Sequence, residues 1–243
     1  TPNTANNFVL TGLQAVKTGT TDVITCNSEE ITGGGRQYTF TMPDAEVTVN
    51  VSWDELYNLW IGDTQVTSNN AAHILGENNT TVTFTAADPK AGSDNTLTLN
   101  GATLEVPVKV GLASLTIDIK GTNSITTNTT CIQKIDNTTP TLTFKSTSDE
   151  VGNLTLKNTD DSNTGVISSD YFGKFTISNE LALMLLRSGD LTSNSYYFSD
   201  GEVHEAQLVP FYGVQVGETL VHSGNATDVL GDGTISFNKN TST

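Results

Sequence analysis

Aromatic side chains set among polar neighbours are the residues of this sequence best suited to binding chemistry. An exposed aromatic ring stacks on the apolar face of a sugar, and nearby Asn, Asp and Thr side chains hydrogen-bond to the sugar hydroxyls. Packing in a core or under a cap is the alternative role for each ring. The candidate glycan-binding residues are Trp60, Tyr171, Tyr196 and Tyr197, with Phe172 beside them.

The acidic and basic residues suggest an enzymatic alternative, a polysaccharide lyase. Such an enzyme uses a basic side chain to remove a proton beside a carboxylate, which Ca²⁺ commonly neutralises. Arg36 and Arg187 are the only arginines, and 27 Asp+Glu against 11 Lys+Arg give a net charge of −16 that repels a polyanion. Hydrolysis by paired carboxylates depends on a spatial separation that the sequence does not fix. We therefore expect no catalytic residues, with polysaccharide degradation as the alternative.

No motif of the sequence predicts a resident metal or cofactor. The pairs Asp160-Asp161 and Asp149-Glu150 are candidates to help hold Ca²⁺, although solvated loop acids are the ordinary role of such pairs. Surface positions are expected for the three histidines, which share no metal-ligand spacing: His73, His204 and His222.

Charge and composition limit the partners and the compartment. No basic cluster accompanies the acidic charge, which disfavours nucleic acid and anionic lipid as partners. The longest apolar run, residues 181–186, is too short to cross a bilayer, so no membrane insertion is expected. Few lysines, 41 Thr and 23 Asn indicate an extracellular or cell-surface protein whose signal sequence is absent from this chain. For Cys26 and Cys131, unpaired thiols are expected rather than a disulfide.

A gapless repeat of twenty positions occurs twice in the chain. Residues 57–76 read YNLWIGDTQVTSNNAAHILG, and residues 212–231 read YGVQVGETLVHSGNATDVLG. Gly62-Asp63 predicts a tight hairpin turn, because glycine adopts positive φ at no steric cost. Trp60 alternates with two apolar neighbours, so its side chain is expected on the outward face, and Gln215 replaces it in the second copy.

The second half of each repeat predicts a short helix and then a strand. Ser68 or Asn69 is suited to capping a helix over residues 70–75. Strands are expected to follow at residues 81–84 and 234–237, which both alternate hydroxyl and apolar side chains.

Short apolar–Thr–apolar phrases fill the chain between the two copies. This alternation predicts strands with one buried face, and Asn or Gly near each phrase predicts corners. The sequence is therefore expected to form an all-β protein, either an irregular right-handed parallel β-helix or an antiparallel β-sandwich. Corner chemistry and the lack of Pro inside the phrases favour the β-helix. Its coil starts, spaced by 18, 27 and 33 residues, are assigned to Leu97, Leu115, Leu142 and Phe175.

Both ends of such a helix need caps, because open sheet edges promote aggregation. The repeat unit that begins at Tyr57 is expected to cover the first coil. Residues 181–186, a strand at 196–198 and the Asp200-Gly201 turn are expected to cover the last.

The N-terminal segment differs in style from the rest. Residues 38–49 read YTFTMPDAEVTV, two alternating strands separated by the turn pair Pro43-Asp44, and Gly33 to Gly35 lead into them. This stretch resembles the closing strands of the divergent internalin B-repeat modules of bacterial surface proteins. The resemblance implies a small β spacer that carries no chemistry.

A second resemblance covers residues 57–180. The unit at 57–84, followed by NTLTLNGAT at residues 95–103, resembles the opening of secreted bacterial proteins described as carbohydrate-binding domain-containing. Some of these proteins have right-handed β-helices, and the resemblance implies a secreted or cell-surface bacterial protein with a glycan ligand, without identifying the binding residues.

Taken together, these features predict three segments and one main function. The segments are a β spacer at 1–54, a capped β-helix at 55–211 and the start of a second capping repeat at 212–243. The leading hypothesis is a non-catalytic surface protein for glycan binding or adhesion. A purely structural stalk is the further alternative.

Overall fold

The protein is built from β-strands. The computed structural model describes residues 7–30, 36–135, 140–147, 151–160, 165–167, 175–185, 195–196 and 205–238. Within these ranges the regular elements are strands and none is a helix, which confirms the all-β class. The chain divides into two compact units, Thr1–Tyr57 with Thr67–Asn69 and Asn58–Val66 with Asn70–Thr243. The segment boundaries at residues 54 and 211 remain predictions.

The N-terminal unit contains antiparallel strands. Those that begin in it are β1 (Phe8–Lys17), β2 (Val23–Ile24), β3 (Asn27–Glu30), β4 (Arg36–Thr39) and β5 (Val47–Ile61). Strand β1 pairs with both β2 and β5, and β3 forms a hairpin with β4. The chain bends at Asp44-Ala45 between β4 and β5, next to the predicted Pro43-Asp44 turn.

The described residues form fifteen further strands along the chain. The first eight are β6 (Thr64–Thr67), β7 (Val82–Thr85), β8 (Thr96–Asn100), β9 (Thr103–Leu104), β10 (Val108–Val110), β11 (Ser114–Lys120), β12 (Thr122–Thr127) and β13 (Ile132–Lys134). The others are β14 (Thr141–Lys145), β15 (Asn153–Asn158), β16 (Phe175–Ile177), β17 (Leu181–Leu185), β18 (Ser195–Tyr196), β19 (Glu205–Val216) and β20 (Thr219–His222).

Three stacks of parallel strands form the centre of the second unit. They are β8–β11–β14–β16, β9–β12–β15 and β10–β13. The chain visits the stacks in a fixed order, β8, β9 and β10 and then β11, β12 and β13, before it begins the next pass with β14 and β15. A parallel bridge between Ile132 and Ile167 extends the third stack into that pass. Successive passes therefore add one strand to each stack.

The apolar positions of successive passes lie opposite one another in ladders. In the first stack the ladder is Leu97, Ile117, Phe144 and Ile177, each at most 5% exposed. Threonines alternate with it on the opposite face of the strands and align in their own row, Thr96, Thr116, Thr143 and Thr176, of which Thr116 is itself only 6% exposed. Each fully buried Leu, Ile or Phe contributes about 1.5–3 kcal/mol of burial free energy. The ladders explain why the apolar–Thr–apolar phrase recurs.

The register of the first two passes differs from the spacing predicted for them. Leu97 pairs with Ile117, which is 117 − 97 = 20 residues on, and not with Leu115 at 18. The reason is that β11 begins two residues before the stretch that faces β8. The later spacings of 27 and 33 are confirmed by Leu115 opposite Leu142 and by Thr143 opposite Thr176.

Glycine makes the sharp corner between the first two stacks. Gly101 follows β8 with φ +67°, and Gly121 follows β11 with φ +64°. Both values lie in the left-handed region that side chains with a Cβ rarely adopt. The predicted Asn/Gly corners are therefore present at these two positions.

The parallel stacks end in antiparallel pairs. Strand β7 pairs antiparallel with β8, and the end of β5 pairs antiparallel with β10. After the last pass, β19 pairs antiparallel with β15 and with β17, and β18 pairs antiparallel with β16. The predicted capping residues Phe198, Asp200 and Gly201 lie outside the described residues.

The two copies of the repeat share their hydrogen bonds. Each has a glycine turn, at Gly62 with φ +61° and at Gly217 with φ +62°, which confirms the predicted hairpin turn. Asn70 Nδ2 donates to the carbonyl of Gln65, and Asn225 Nδ2 donates to the carbonyl of Leu220, both at 2.9 Å. The repeat is therefore a structural unit and not only a sequence similarity.

The helix predicted over residues 70–75 is not formed. The segment consists of successive turns, with the amide of His73 bonded to the carbonyl of Asn70 and the amide of Gly76 to that of His73. The carbonyl of Ala71 accepts instead from the amide of Phe84 at 2.7 Å. In a helix that carbonyl would accept from the residue four positions on, so the following strand competes with the helix for it.

The strand predicted at residues 234–237 is also absent. The amide of Phe237 bonds the carbonyl of Ala226 at 2.7 Å, as Phe84 bonds Ala71 in the first copy. Residues 234–237 nevertheless form no strand, whereas the corresponding residues of the first copy form β7.

Candidate functional site

The structure describes the predicted binding aromatics only in part. Trp60 is half-buried between the fully covered Leu59 and Ile61 and lies opposite Lys109, as expected for an outward side chain. Tyr171 and Tyr197 lie outside the described residues. For Tyr196 only the backbone pairing with Phe175 is described.

A cavity of about 460 Å³ lies in the second unit, in a place that the sequence did not single out. Three aromatic residues line it together with one carboxylate and one carboxamide. These residues are Phe211, Tyr212, Phe237, Glu180 and Asn179. Val151 and Pro210 add apolar surface.

Two of the aromatic rings form a stacked pair. The centroids of Tyr212 and Phe237 are 5.1 Å apart, and the ring planes meet at 25°. Tyr212 lies in β19 next to a register shift, where Gly213 takes φ +70°. The hydrogen bond that the backbone amide of Phe237 donates to the carbonyl of Ala226 positions the second ring. The repeat fold therefore brings the rings together.

Glu180 supplies the negative charge of the cavity. It lies in the turn before β17, and its carbonyl accepts from the amide of Phe211 at 2.9 Å. The nearby hydroxyl of Ser178, which makes no hydrogen bond of standard geometry among the described residues, lowers the pKa of the Glu180 carboxyl, and the amide of Glu180 itself acts in the same direction. The carboxylate is exposed and ionised at neutral pH, so it can only accept hydrogen bonds.

This arrangement suits the binding of a polyhydroxylated ligand. Aromatic faces provide apolar contact, and a carboxylate with a carboxamide provides acceptors and donors at the edge. Acid–base hydrolysis of a glycoside requires two carboxyl groups that flank the bond. Among the lining residues that the structure describes, Glu180 is the single carboxylate.

Metal ligands are not brought together within the described ranges. No group of three or more His, Cys, Asp or Glu side chains is placed to hold a metal ion there. Asp161, Asp149 and Glu150 lie outside those ranges, so the Ca²⁺ assignment stays a prediction. In the same part of the chain no helix is long and apolar enough to cross a membrane.

One histidine departs from its expected surface position. His222 is 4% exposed, and its Nδ1 accepts from the amide of Gly224 at 3.0 Å. Its backbone amide bonds Asn225 Oδ1 at 2.9 Å. His222 is therefore a structural residue of the repeat, His73 is half-buried, and His204 lies outside the described residues.

Both cysteines are unpaired, as expected. Cys26 is half-buried, and Cys131 is fully buried. Burial raises the pKa of the Cys131 thiol, although contacts with Thr127 and Lys157 act in the opposite direction. The Cys131 Sγ lies 3.3 Å from each of the carbonyl oxygens of Ile125 and Lys157. This environment is typical of a packed thiol and not of a nucleophile.

Tyr212 and Phe237 were not selected from the sequence, although a signal was present. The repeat places Tyr57 opposite Tyr212 and Phe84 opposite Phe237. An aromatic pair that recurs in a structural unit could have marked the second pair as neighbours. Glu180 could not be identified in this way, because it lies outside the repeat and reaches the cavity only through the pairing of β17 with β19.

Comparison with known proteins gives no relative. The chain matches no protein-family model, no curated protein and no solved structure.

Proposed function

We propose that this chain is a non-catalytic glycan-binding module of a secreted or cell-surface protein, with an adhesive role. The observation that carries the proposal is the stacked Tyr212–Phe237 pair beside the Glu180 carboxylate in one cavity. Stacked rings offer a sugar its apolar platform, and Glu180 accepts hydrogen bonds from its hydroxyls. The Thr- and Asn-rich composition and the resemblance to secreted carbohydrate-binding proteins support the same function.

For the architecture we propose a right-handed parallel β-helix, which presents this site near its last coils. Its support is the set of three in-register parallel stacks, which the chain visits in constant order. An antiparallel sandwich would instead pair successive phrases head to tail. Right-handedness is the strongly preferred sense for connections between parallel strands of one sheet.

The ligand class follows from charge. With a net charge of −16 and no Lys or Arg among the described lining residues, the cavity disfavours acidic polysaccharides. We propose a neutral glycan whose hydroxyls donate to Glu180. This choice also weighs against lyase chemistry, which acts on uronates.

A glycan array followed by isothermal titration calorimetry tests the proposal. Wild-type protein is expected to bind at least one neutral glycan, and Tyr212→Ala is expected to weaken binding about five- to thirtyfold, since one stacked ring contributes roughly 1–2 kcal/mol. Tyr57→Ala, the same change in the first copy, is the matched control and should retain affinity.

Two outcomes would reject the proposal. Absence of binding to every glycan at millimolar concentration would favour the purely structural stalk. Formation of reducing ends or unsaturated products from any polysaccharide would instead favour the degrading enzyme.

A further inference from the structure

The second copy of the repeat exposes positions that are core in the first. Leu59 and Val82 are fully buried, whereas their counterparts Val214 and Ile235 are each 37% exposed. The two copies share the turn hydrogen bonds described above, although the stretch from Gly231 to Thr234 is two residues shorter than that from Gly76 to Thr81 and leads into no strand. The two copies also differ in what covers them.

In the first copy, strand β8 covers β7, the strand that contains Val82. Val82 lies opposite Leu99 and Phe84 opposite Leu97 in an antiparallel pair, and the amide of Asn100 donates to the carbonyl of Thr81 at 2.8 Å. Strand β8 alternates Leu with Thr, so both leucines face the buried side. In the described part of the chain, no strand pairs with residues 234–237 in the corresponding way.

The edge of the second copy is preformed. Asp232 Oδ1 accepts from the amide of Thr234 at 2.9 Å and from its hydroxyl at 2.5 Å, as Asn79 does for Thr81 in the first copy. This bond satisfies the amide of Thr234 and fixes the residue that corresponds to the acceptor Thr81. A segment held in this way forms an edge without having to become ordered on pairing.

We propose that residues 234–237 form a docking edge for a polypeptide strand that alternates Leu with Thr, as β8 does. The partner strand runs antiparallel, places its leucines opposite Ile235 and Phe237, and donates an amide to the carbonyl of Thr234. Main-chain hydrogen bonds supply part of the affinity, and the alternation of side chains supplies the specificity. The inference goes beyond glycan binding, and the docking edge shares Phe237 with the proposed glycan site.

Fluorescence anisotropy with a labelled synthetic peptide of residues 94–111, DNTLTLNGATLEVPVKVG, tests the docking edge on the full chain. The peptide is expected to bind saturably. Ile235→Asp should weaken binding at least about tenfold, because it removes an apolar contact and places a charge at the interface. A peptide with Leu97→Asp and Leu99→Asp should not bind.

Leu230→Asp is the matched control in the protein. Leu230 is 44% exposed, and its counterpart Leu75 is still 37% exposed in the covered first copy, so Leu230 is not part of the docking edge. This variant should bind the peptide as the wild type does. Equal binding by wild-type and Ile235→Asp protein would overturn the inference, as would dimerisation through this edge that the peptide does not displace. Circular dichroism confirms that each variant is folded.

Discussion

The side-chain oxygen of Asn123 accepts a hydrogen bond of 2.8 Å from the backbone amide of Ala102, one pass earlier in the chain. The Nδ2 of the same carboxamide donates to the carbonyl of Asn153, one pass later, at 3.0 Å. It also donates to the carbonyls of Lys120 and Gly121 within its own pass. One side chain that is only 2% exposed therefore joins three successive levels of the fold.

We expect Asn123→Ala to lower the free energy of unfolding by about 2–4 kcal/mol, because several buried backbone groups lose their partner. Asn153→Ala is the control, since its Nδ2 makes one long bond of 3.4 Å to Thr122 at an exposed position. That change should cost less than about 0.5 kcal/mol. Urea unfolding measures both values, and similar losses in the two variants would contradict the bridging role of Asn123.

Asp118 is expected to hold the loop after β14. It is 4% exposed and accepts from the amide of Thr147 at 2.9 Å and from its hydroxyl at 2.6 Å, with Lys120 Nζ at 3.5 Å. We expect Asp118→Ala to lower the unfolding free energy by about 1.5–3 kcal/mol, because the charge-assisted hydrogen bonds from Thr147 to this buried carboxylate are lost. Asp63→Ala removes an ion pair of 3.1 Å with Lys109 in which the carboxylate is fully exposed. Chemical denaturation should detect no change in the unfolding free energy of Asp63→Ala. Equal losses of unfolding free energy in the two variants would reject the role of Asp118.

Gly152 is expected to be required for close packing of two passes. A Cβ there would lie 2.7 Å from the carbonyl oxygen of Ile119 and 2.8 Å from that of Gly121, both in the backbone. We expect Gly152→Ala to cost about 1–3 kcal/mol and to lower the Tm. Gly12→Ala is the control, because its Cβ would be 3.5 Å from Ser52 and meet no closer atom. Thermal unfolding that shifts equally in both variants would show that the contact is relieved at little cost.

The two thiols should differ in reactivity. Because burial raises the pKa of Cys131, its thiolate fraction at pH 8 is lower than that of an ordinary thiol, and the side chain is also inaccessible. We expect the native protein to react quickly with Ellman's reagent at one thiol and at the second only after denaturation. Cys26→Ser should remove the fast phase, while Cys131→Ala should leave it. Release of no thiol in denaturant without reductant would reveal a disulfide and contradict the unpaired state.

Glycan binding should depend on pH through Glu180. Because the pKa of this carboxyl is lowered from its usual value of 4.5, the acceptor stays ionised as the pH falls from 7 to that value. Affinity should therefore be constant over this range and fall only at lower pH, where the carboxyl takes up a proton. Glu180→Gln should bind more weakly and without this acid transition in calorimetric titrations. A loss of affinity centred between pH 6 and 7 in the wild type would assign the dependence to another group.

Local alternation in the sequence determined the strands of this protein. Leu97 and Leu99 flank Thr98, and both leucines are fully buried in β8. The Gly62 turn and the equivalence of the two repeats were also predictable. These features depend on the two-residue period of a strand and on the freedom of glycine at positive φ, which are properties of neighbouring residues.

Predictions that depended on distant partners were less successful. The helix over residues 70–75 competes with the bond from Phe84 to Ala71, and the spacing of the first coil missed the two residues by which β11 precedes its pairing with β8. The sequence pattern alone does not show which of several equivalent phrases will pair, because register is decided by the whole face that becomes buried.

The candidate site was decided almost entirely by tertiary structure. Trp60 was selected from its alternation with apolar neighbours, which is a local property, but it is not among the residues that line the cavity. Tyr212, Phe237 and Glu180 come from three separate stretches and meet only because β17 and β19 pair and the second repeat folds back on itself. The local sequence determines which face of a strand a side chain occupies. Bringing three such side chains to one cavity requires pairings between distant strands, and the free energy of those pairings does not depend on any single segment.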